Sequence, residues 1–138
     1  MSIRYGAALA AAFITAPAIA ADLEITVRGL EQPAGYAMIA VYASQAAMDD
    51  GVGSANLKIA VGETGTVRAI VDLPAGRYAV AVFHDENANG KLDTNIVKFP
   101  VEPTGFGNNA RGSFGPATFD DAAVDLTDAG ARADIVVR

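Results

Sequence analysis

Short runs that alternate apolar and polar residues are the feature that most constrains the fold of this chain. Alternation places successive side chains on opposite faces of a strand. Residues 36–43 and 77–84 are apolar on both faces, which predicts central strands that are covered on each side. Only Gln45–Asp50 favours a helical turn. The alternating apolar residues are Leu23, Ile25 and Val27; Val67, Ala69, Val71 and Leu73; Ala122, Val124 and Leu126; and Ala133, Ile135 and Val137.

Seven or eight short strands separated by turn residues predict an all-β fold. The expected architecture is an antiparallel Greek-key β-sandwich, immunoglobulin-like or prealbumin-like. Shorter strands are expected at residues 57–61 and 95–100, and a turn at 128–130 separates the last two. Leu73–Tyr78 predicts a hairpin, with Pro74 in a type I turn and Gly76 in the left-handed region.

The first twenty residues predict export. Arg4 supplies a positive charge, residues 6–19 are almost entirely apolar, and Ala18–Ala20 forms an A-x-A site for cleavage after Ala20. The apolar run is shorter than the roughly 20 residues of a membrane-spanning helix. We expect a signal peptide at 1–20 and a single periplasmic or secreted domain at 21–138, with no membrane span after cleavage. The alternative is an uncleaved N-terminal anchor.

The composition of the mature chain indicates which classes of partner are disfavoured. Removal of residues 1–20 from the 138 leaves 118, enough for a core without disulfides, and the chain has no cysteine. Loss of Arg4 takes the formal charge from −6 to −7. Such a negative chain disfavours nucleic acid and anionic membrane surfaces as partners. We expect a monomer.

The segment His84–Asp93 carries the most specific pattern, D-x-N-x-N-G-x-x-D. Alternate side chains of such a loop supply oxygen ligands to calcium, and the glycine at position six permits a sharp turn. Hard oxygen ligands favour calcium over zinc or copper. The candidate ligands are Asp85, Asn87, Asn89, the carbonyl oxygen of Lys91, and Asp93 directly or through water.

The last ligand of the calcium pattern is missing, because position twelve is Ile96. A carboxylate from outside the loop is required, and Glu102 is the first candidate, followed by Asp120 or Asp121. Neutral asparagines and the missing ligand predict a dissociation constant of roughly 10⁻⁴ to 10⁻³ M. The alternative is a loop closed by Asx-turns without metal.

Other catalytic patterns are weak. His84 is the only histidine, and none of its candidate partners Ser44, Ser54 and Ser113 lies on a recognisable nucleophile elbow. We therefore expect no catalytic residue, with His84 packed beside the loop.

The glycine-rich segment 105–116 lacks a phosphate-binding signature. Its Phe106 and Phe114, with the nearby Phe119, are expected to pin the segment to the sandwich. The alternative is a shallow ligand pocket lined by these rings.

The motifs together resemble an exported bacterial family, domain of unknown function 2141 (DUF2141). The resemblance covers nearly the whole mature chain. This chain differs from the common pattern of the family at Lys98, where the family often has glycine, and at Thr104 and Gly107. It implies a fold and an exported location rather than an activity. The motifs are residues 73–80, residues 84–93, Pro100, Glu102, residues 105–106, residues 108–109, residues 114–116 and residues 119–122.

Three functions remain open from the sequence. The first is a non-catalytic accessory or binding module for an envelope protein or small ligand, in which a calcium loop orders residues 105–116. The second is a hydrolase-type enzyme that uses His84 and the acidic loop. The third is a structural cell-envelope protein that pairs with a partner through strand edges.

Overall fold

Two β-sheets dominate the computed structural model, which describes residues 14–17 and 19–138. Residues 1–13 and Ala18, which carry most of the predicted signal sequence and the first residue of its cleavage motif, lie outside the described residues. The strands are β1 (Ala20–Arg28), β2 (Tyr36–Tyr42), β3 (Ala55–Ala60), β4 (Val67–Pro74), β5 (Gly76–Asp85), β6 (Thr104–Phe106), β7 (Ala123–Leu126) and β8 (Ala131–Val136). The short helices are α1 (Gln45–Asp50) and α2 (Phe119–Ala122).

The expected all-β class is confirmed, and the pairing is mainly antiparallel. The first sheet has the order β4-β1-β8. The second has the order β3-β2-β5-β6, and β7 pairs with β5 beside β6. The predicted central strands β2 and β5 each have partners on both edges.

One pair differs from the antiparallel expectation, because β1 and β8 run parallel. The last two strands flank the expected turn, closed by a bridge from Thr127 to Gly130, but they enter different sheets. Alternation fixes which side chains face inward and leaves the partner strand open. The sequence pattern is the same for both pairings.

The core lies between the inward faces of the two sheets. Leu23, Ile25 and Val27 of β1 are at most 1% exposed, as their alternation predicts. They belong to one apolar cluster with inward residues of the second sheet, such as Ile39 and Val80. Burial of each such side chain contributes about 1.5–3 kcal/mol.

The predicted hairpin at Leu73–Tyr78 is wrong. The strands β4 and β5 lie in different sheets, and Gly76 does not have a left-handed φ. The chain instead crosses between the sheets at Ala75. The Tyr78 hydroxyl donates a hydrogen bond of 2.8 Å to the Pro74 carbonyl oxygen, which fastens this crossing. Proline with glycine two residues later is common to hairpins and to such crossings, so local turn chemistry does not separate them.

The expected strand at residues 95–100 is also wrong, because this segment forms a turn. Thr94 and Pro100 make a single antiparallel bridge. The Asn95 side-chain oxygen accepts from the backbone N–H groups of Val97 and Phe99, each at 3.0 Å. A side chain that caps backbone donors in this way competes with strand pairing.

A smaller apolar cluster covers one end of the outer face of the second sheet. It contains Ala79, Ala117 and Ala122, with Met48 and Phe119 packed against them. The helices α1 and α2 supply these last residues, which places both helices on that face. None of the helices in the described part of the chain is sufficiently long and apolar to cross a membrane.

Candidate functional site

The loop at the end of β5 is built around the buried carboxylate of Asp85. This residue is the last of β5 and is 0% exposed. Its two oxygens accept from the backbone N–H groups of Asn89, at 3.1 Å, and Gly90, at 2.8 Å. Gly90 has a φ of 78°, which is the left-handed conformation that the glycine at position six predicts. Asp85 therefore folds the loop back onto the strand.

Two asparagines close the loop onto Asp93. The side-chain nitrogen of Asn87 donates to one Asp93 oxygen at 2.7 Å, and that of Asn89 donates to the other at 2.8 Å. The donated hydrogen bonds, first from Asn89 and then from Asn87, hold the pKa of Asp93 below its usual range. The side-chain oxygens of the asparagines accept backbone N–H groups two residues further on, including that of Lys91 at 2.9 Å. These are Asx-turns, the feature of the metal-free alternative for this loop.

Glu102 joins the two ends of the loop. One of its oxygens accepts the backbone N–H of Glu86 at 3.2 Å, and the other accepts that of Asp93 at 3.1 Å. Its exposure is only 8%. Because Glu102 lies two residues before β6, this clamp ties the loop to the following segment.

The structure thus brings together most of the predicted ligand set. Asp85, Asn87, Asn89, Asp93 and Glu102 form one hydrogen-bonded network with the backbone of Lys91. The reserve candidates lie elsewhere: Asp120 pairs with Arg77 at 3.2 Å, and the backbone N–H of Asp121 donates to Thr118. Among the described residues, neither has a hydrogen bond to the loop.

The donor chemistry of this network fits a hard cation, whereas the side-chain orientations fit a closed loop. Every side-chain oxygen of Asp85, Asp93 and Glu102 accepts an N–H group. The amides of Asn87 and Asn89 present nitrogen, not oxygen, to Asp93. No group of three or more His, Cys, Asp or Glu residues with the arrangement of a metal site occurs within residues 14–17 and 19–138. For their oxygens to bind calcium, the side-chain amides of Asn87 and Asn89 must both rotate by half a turn.

His84 lies on the inward face of β5 and is 0% exposed. Its Nε2 is 2.8 Å from the Ala34 carbonyl oxygen, and since a carbonyl only accepts, Nε2 carries the hydrogen. Its Nδ1 has no hydrogen-bond partner in the described residues and lies 3.8 Å from a Glu86 oxygen. Gly35, with a φ of 70°, lies so close that an added Cβ would overlap the Asp85 carbonyl oxygen. The Ala34–Gly35 backbone, which the ring contacts through the Ala34 carbonyl group, is therefore packed closely against the end of β5.

The sequence model of a bacterial family, described as an uncharacterized protein conserved in bacteria (DUF2141), matches residues 25–134. The chain belongs to this family. No curated protein and no solved structure matches it. The DUF2141 match spans both sheets and the whole loop, so the network just described lies within the family domain.

At Lys98, where the resemblance implies glycine, the backbone has a φ of 66°. This left-handed conformation favours glycine. The turn is fixed by the Asn95 contacts, so its apolar residues project outward. Ile96 is 101% exposed, Val97 63% and Phe99 53%.

The glycine-rich segment lies opposite this turn, across a cavity of about 540 Å³. Phe119 packs in the smaller cluster, as expected. Phe106 packs there too and also lines the cavity. Phe114 is 96% exposed, so the expectation that it pins the segment is wrong.

Sequence reasoning missed the basic residues of this cavity, Lys98, Arg111 and Arg138. Their signal was the position of Lys98 and Arg111 on either side of a segment with exposed apolar residues such as Phe99 and Val101, in an acidic chain. Their convergence depends on the turn at Asn95 and on the position of the final strand, neither of which the sequence predicted.

Proposed function

We propose that this protein is a non-catalytic accessory or binding module, exported to the periplasm or beyond and built on a Greek-key β-sandwich. Its Asp85–Asp93 loop orders the surface formed by residues 92–116. The observation that carries this proposal is the Glu102 clamp, since one buried carboxylate binds both ends of the loop and leads directly into that surface. We expect the module to act as a monomer on an envelope protein or a small ligand.

The environment of His84 supports a non-catalytic role. A general base must come within about 2.6–3.2 Å of the proton that it removes, directly or through one water. The His84 ring is fully buried and its Nε2 is occupied by the Ala34 carbonyl group. Ser44, one of the candidate nucleophiles, accepts the backbone N–H of Ala47 at the start of α1 instead.

The loop is also proposed to take calcium weakly. Binding would turn the Asn87 and Asn89 amides so that their oxygens join those of Asp85 and Asp93 around the ion. This exchange gives up the two Asx-turns, which favours a weak site. With about 1 mM calcium and a dissociation constant of about 0.1 mM, linkage adds about 1.4 kcal/mol to the free energy of unfolding.

Thermal unfolding in EGTA and in 1 mM calcium tests this proposal. We expect calcium to raise the melting temperature by about 5 °C. In Asp93→Asn the rise should disappear, because the variant removes a charged ligand while keeping its size. Asp134→Asn, which removes an exposed charge from β8, is the control and should respond like the wild type.

An unchanged melting temperature at several millimolar calcium would reject the metal part of the proposal. The module itself is tested separately with a panel of ester, amide and glycoside substrates. Hydrolysis of a substrate by the purified protein that is lost in a folded His84→Ala variant would support the hydrolase-type enzyme instead.

A further inference from the structure

The cavity beside the loop has two walls and a floor. The turn 94–100 forms one wall, the glycine-rich residues 110–116 form the other, and β6 with the end of the chain at 136–138 forms the floor. Its volume of about 540 Å³ lies within the usual range for small-molecule sites, about 300–1,000 Å³. The cavity is therefore large enough for one organic molecule.

The lining is mostly apolar and is exposed to water. It includes Val97, Phe99 and Phe114, which are all more than half exposed, and the half-buried Phe106. Exposed apolar side chains in one contiguous patch are unusual on a soluble monomer and mark binding surfaces. A second groove of about 370 Å³ on the outer face of β2 and β5 shares Leu92, Thr104 and Phe106 with the cavity. The apolar track is thus elongated.

The charge of the lining is opposite to that of the chain. The chain has 16 acidic and 10 basic residues, yet every charged side chain on the lining is basic: Lys98, Arg111 and Arg138. In the described part of the chain, none of the three takes part in an ion pair. Arginine binds carboxylates with paired hydrogen bonds, and lysine adds a point charge.

We propose that this cavity binds one elongated apolar anion, such as a free medium-chain carboxylate, with its head group at Arg111 and Lys98 and its tail along Phe99, Phe106 and Leu92. This inference rests on the proposed binding function and names the class of ligand for the same surface. Phe114, which also lines the cavity, adds an apolar contact for the tail.

A fluorescent probe, 11-(dansylamino)undecanoic acid, tests the proposal by titration into the mature protein. Its methyl ester has the same tail and no charge. We expect saturable binding of one acid per chain, with the ester at least tenfold weaker, because charge-assisted hydrogen bonds to the head group are lost. Added salt should weaken acid binding more than ester binding.

Two variants separate the head group from the tail. Lys98→Gly with Arg111→Gln should weaken acid binding at least tenfold and leave ester binding unchanged; glycine suits the left-handed φ at position 98. Phe114→Ser should weaken both probes about tenfold, since an apolar contact is lost. The controls Arg68→Gln and Ile70→Ser remove an exposed charge and an exposed apolar side chain from β4 and should change neither affinity more than twofold.

Equal affinity for acid and ester, or an unchanged affinity in the double variant, overturns the anion proposal while the binding module stands. Absence of saturable binding up to the solubility of the probe also overturns it. If the protein sediments with phosphatidylglycerol vesicles but does not bind the probe one to one, its ligand is a membrane surface and not a free anion, and the proposal is overturned. Release of the acid from its ester by the protein contradicts the non-catalytic function itself.

Discussion

The Asp85–Asp93 loop and the cavity beside it differ in whether their charged side chains have partners within the protein. In the loop, both side-chain oxygens of Asp85 and of Asp93 accept N–H groups from the same short segment. Around the cavity, Lys98 and Arg111 have no described ion pair, and Phe114 is almost fully exposed. The first region pairs its polar groups internally, in keeping with the ordering role that we propose for it. The second presents basic and apolar side chains to water, and there we propose a ligand site.

The largest expected effect is that of Asp85→Ala on the free energy of unfolding. The substitution removes two hydrogen bonds to a buried carboxylate. The Gly90 N–H loses its acceptor, and the Asn89 N–H keeps only its longer hydrogen bond of 3.3 Å to the Asn87 side-chain oxygen. Hydrogen bonds to charged groups contribute about 1.5–3 kcal/mol each, so we expect a loss of about 3 kcal/mol or more. Urea-induced unfolding followed by circular dichroism measures it.

Asp85→Asn keeps the size of the side chain and one acceptor oxygen, so its loss should fall between wild type and Asp85→Ala. As a comparison from the other region, Phe114→Ser should change the free energy of unfolding by less than about 0.5 kcal/mol, because the ring is exposed. Similar losses of unfolding free energy in Asp85→Ala and Phe114→Ser would contradict the view that, of the two regions, only the loop contributes to stability.

The smallest expected effect concerns a pair of carboxylates on the first sheet. Asp22 and Asp72 face each other across β1 and β4, and the shared hydrogen bond with Asp72, followed by its charge, raises the pKa of Asp22. A raised carboxyl pKa disfavours the folded state above that pKa, and the penalty is relieved as pH falls through it. We expect Asp72→Asn to raise the melting temperature slightly at pH 7, with the gain shrinking toward about pH 4.

Asp93 should show the opposite sign, since its pKa is lowered by the loop. Its hydrogen bonds contribute stability above the unfolded pKa, and that contribution is lost as pH falls through the lowered value. Melting temperatures of Asp72→Asn and Asp93→Asn between pH 3 and pH 7 give both trends. A gain from Asp72→Asn that grows on acidification contradicts the argument.

Local patterns predicted the parts of this fold that depend on local chemistry. The alternation of Leu23, Ile25 and Val27 identified a buried strand face, and the D-x-N-x-N-G spacing placed Gly90 in its left-handed turn. Glu102 was found because the calcium pattern required a carboxylate from outside the loop. Its observed role, two hydrogen bonds to backbone N–H groups, is a different one.

Features that depend on distant pairing were not predicted. The crossing at Ala75 and the parallel pairing of β8 with β1 carry the same local patterns as a hairpin and an antiparallel pair. The Asn95 turn was missed because its apolar neighbours resemble a strand, whereas the asparagine side chain decides the backbone. The cavity depends on the Asn95 turn and on the position of β8, so no local motif predicts it.

Amide hydrogen exchange in Glu102→Gln tests most directly whether the loop orders the surface that we propose for binding. The variant removes the charge of Glu102. It also places an NH₂ group, which is a donor, against one of the two backbone N–H groups that donate to Glu102 in the wild type. We predict that exchange accelerates at least tenfold both in residues 86–93 and across residues 94–116, while β1 and β2 keep their protection. Faster exchange confined to residues 86–93, with 94–116 as protected as in the wild type, would contradict the account.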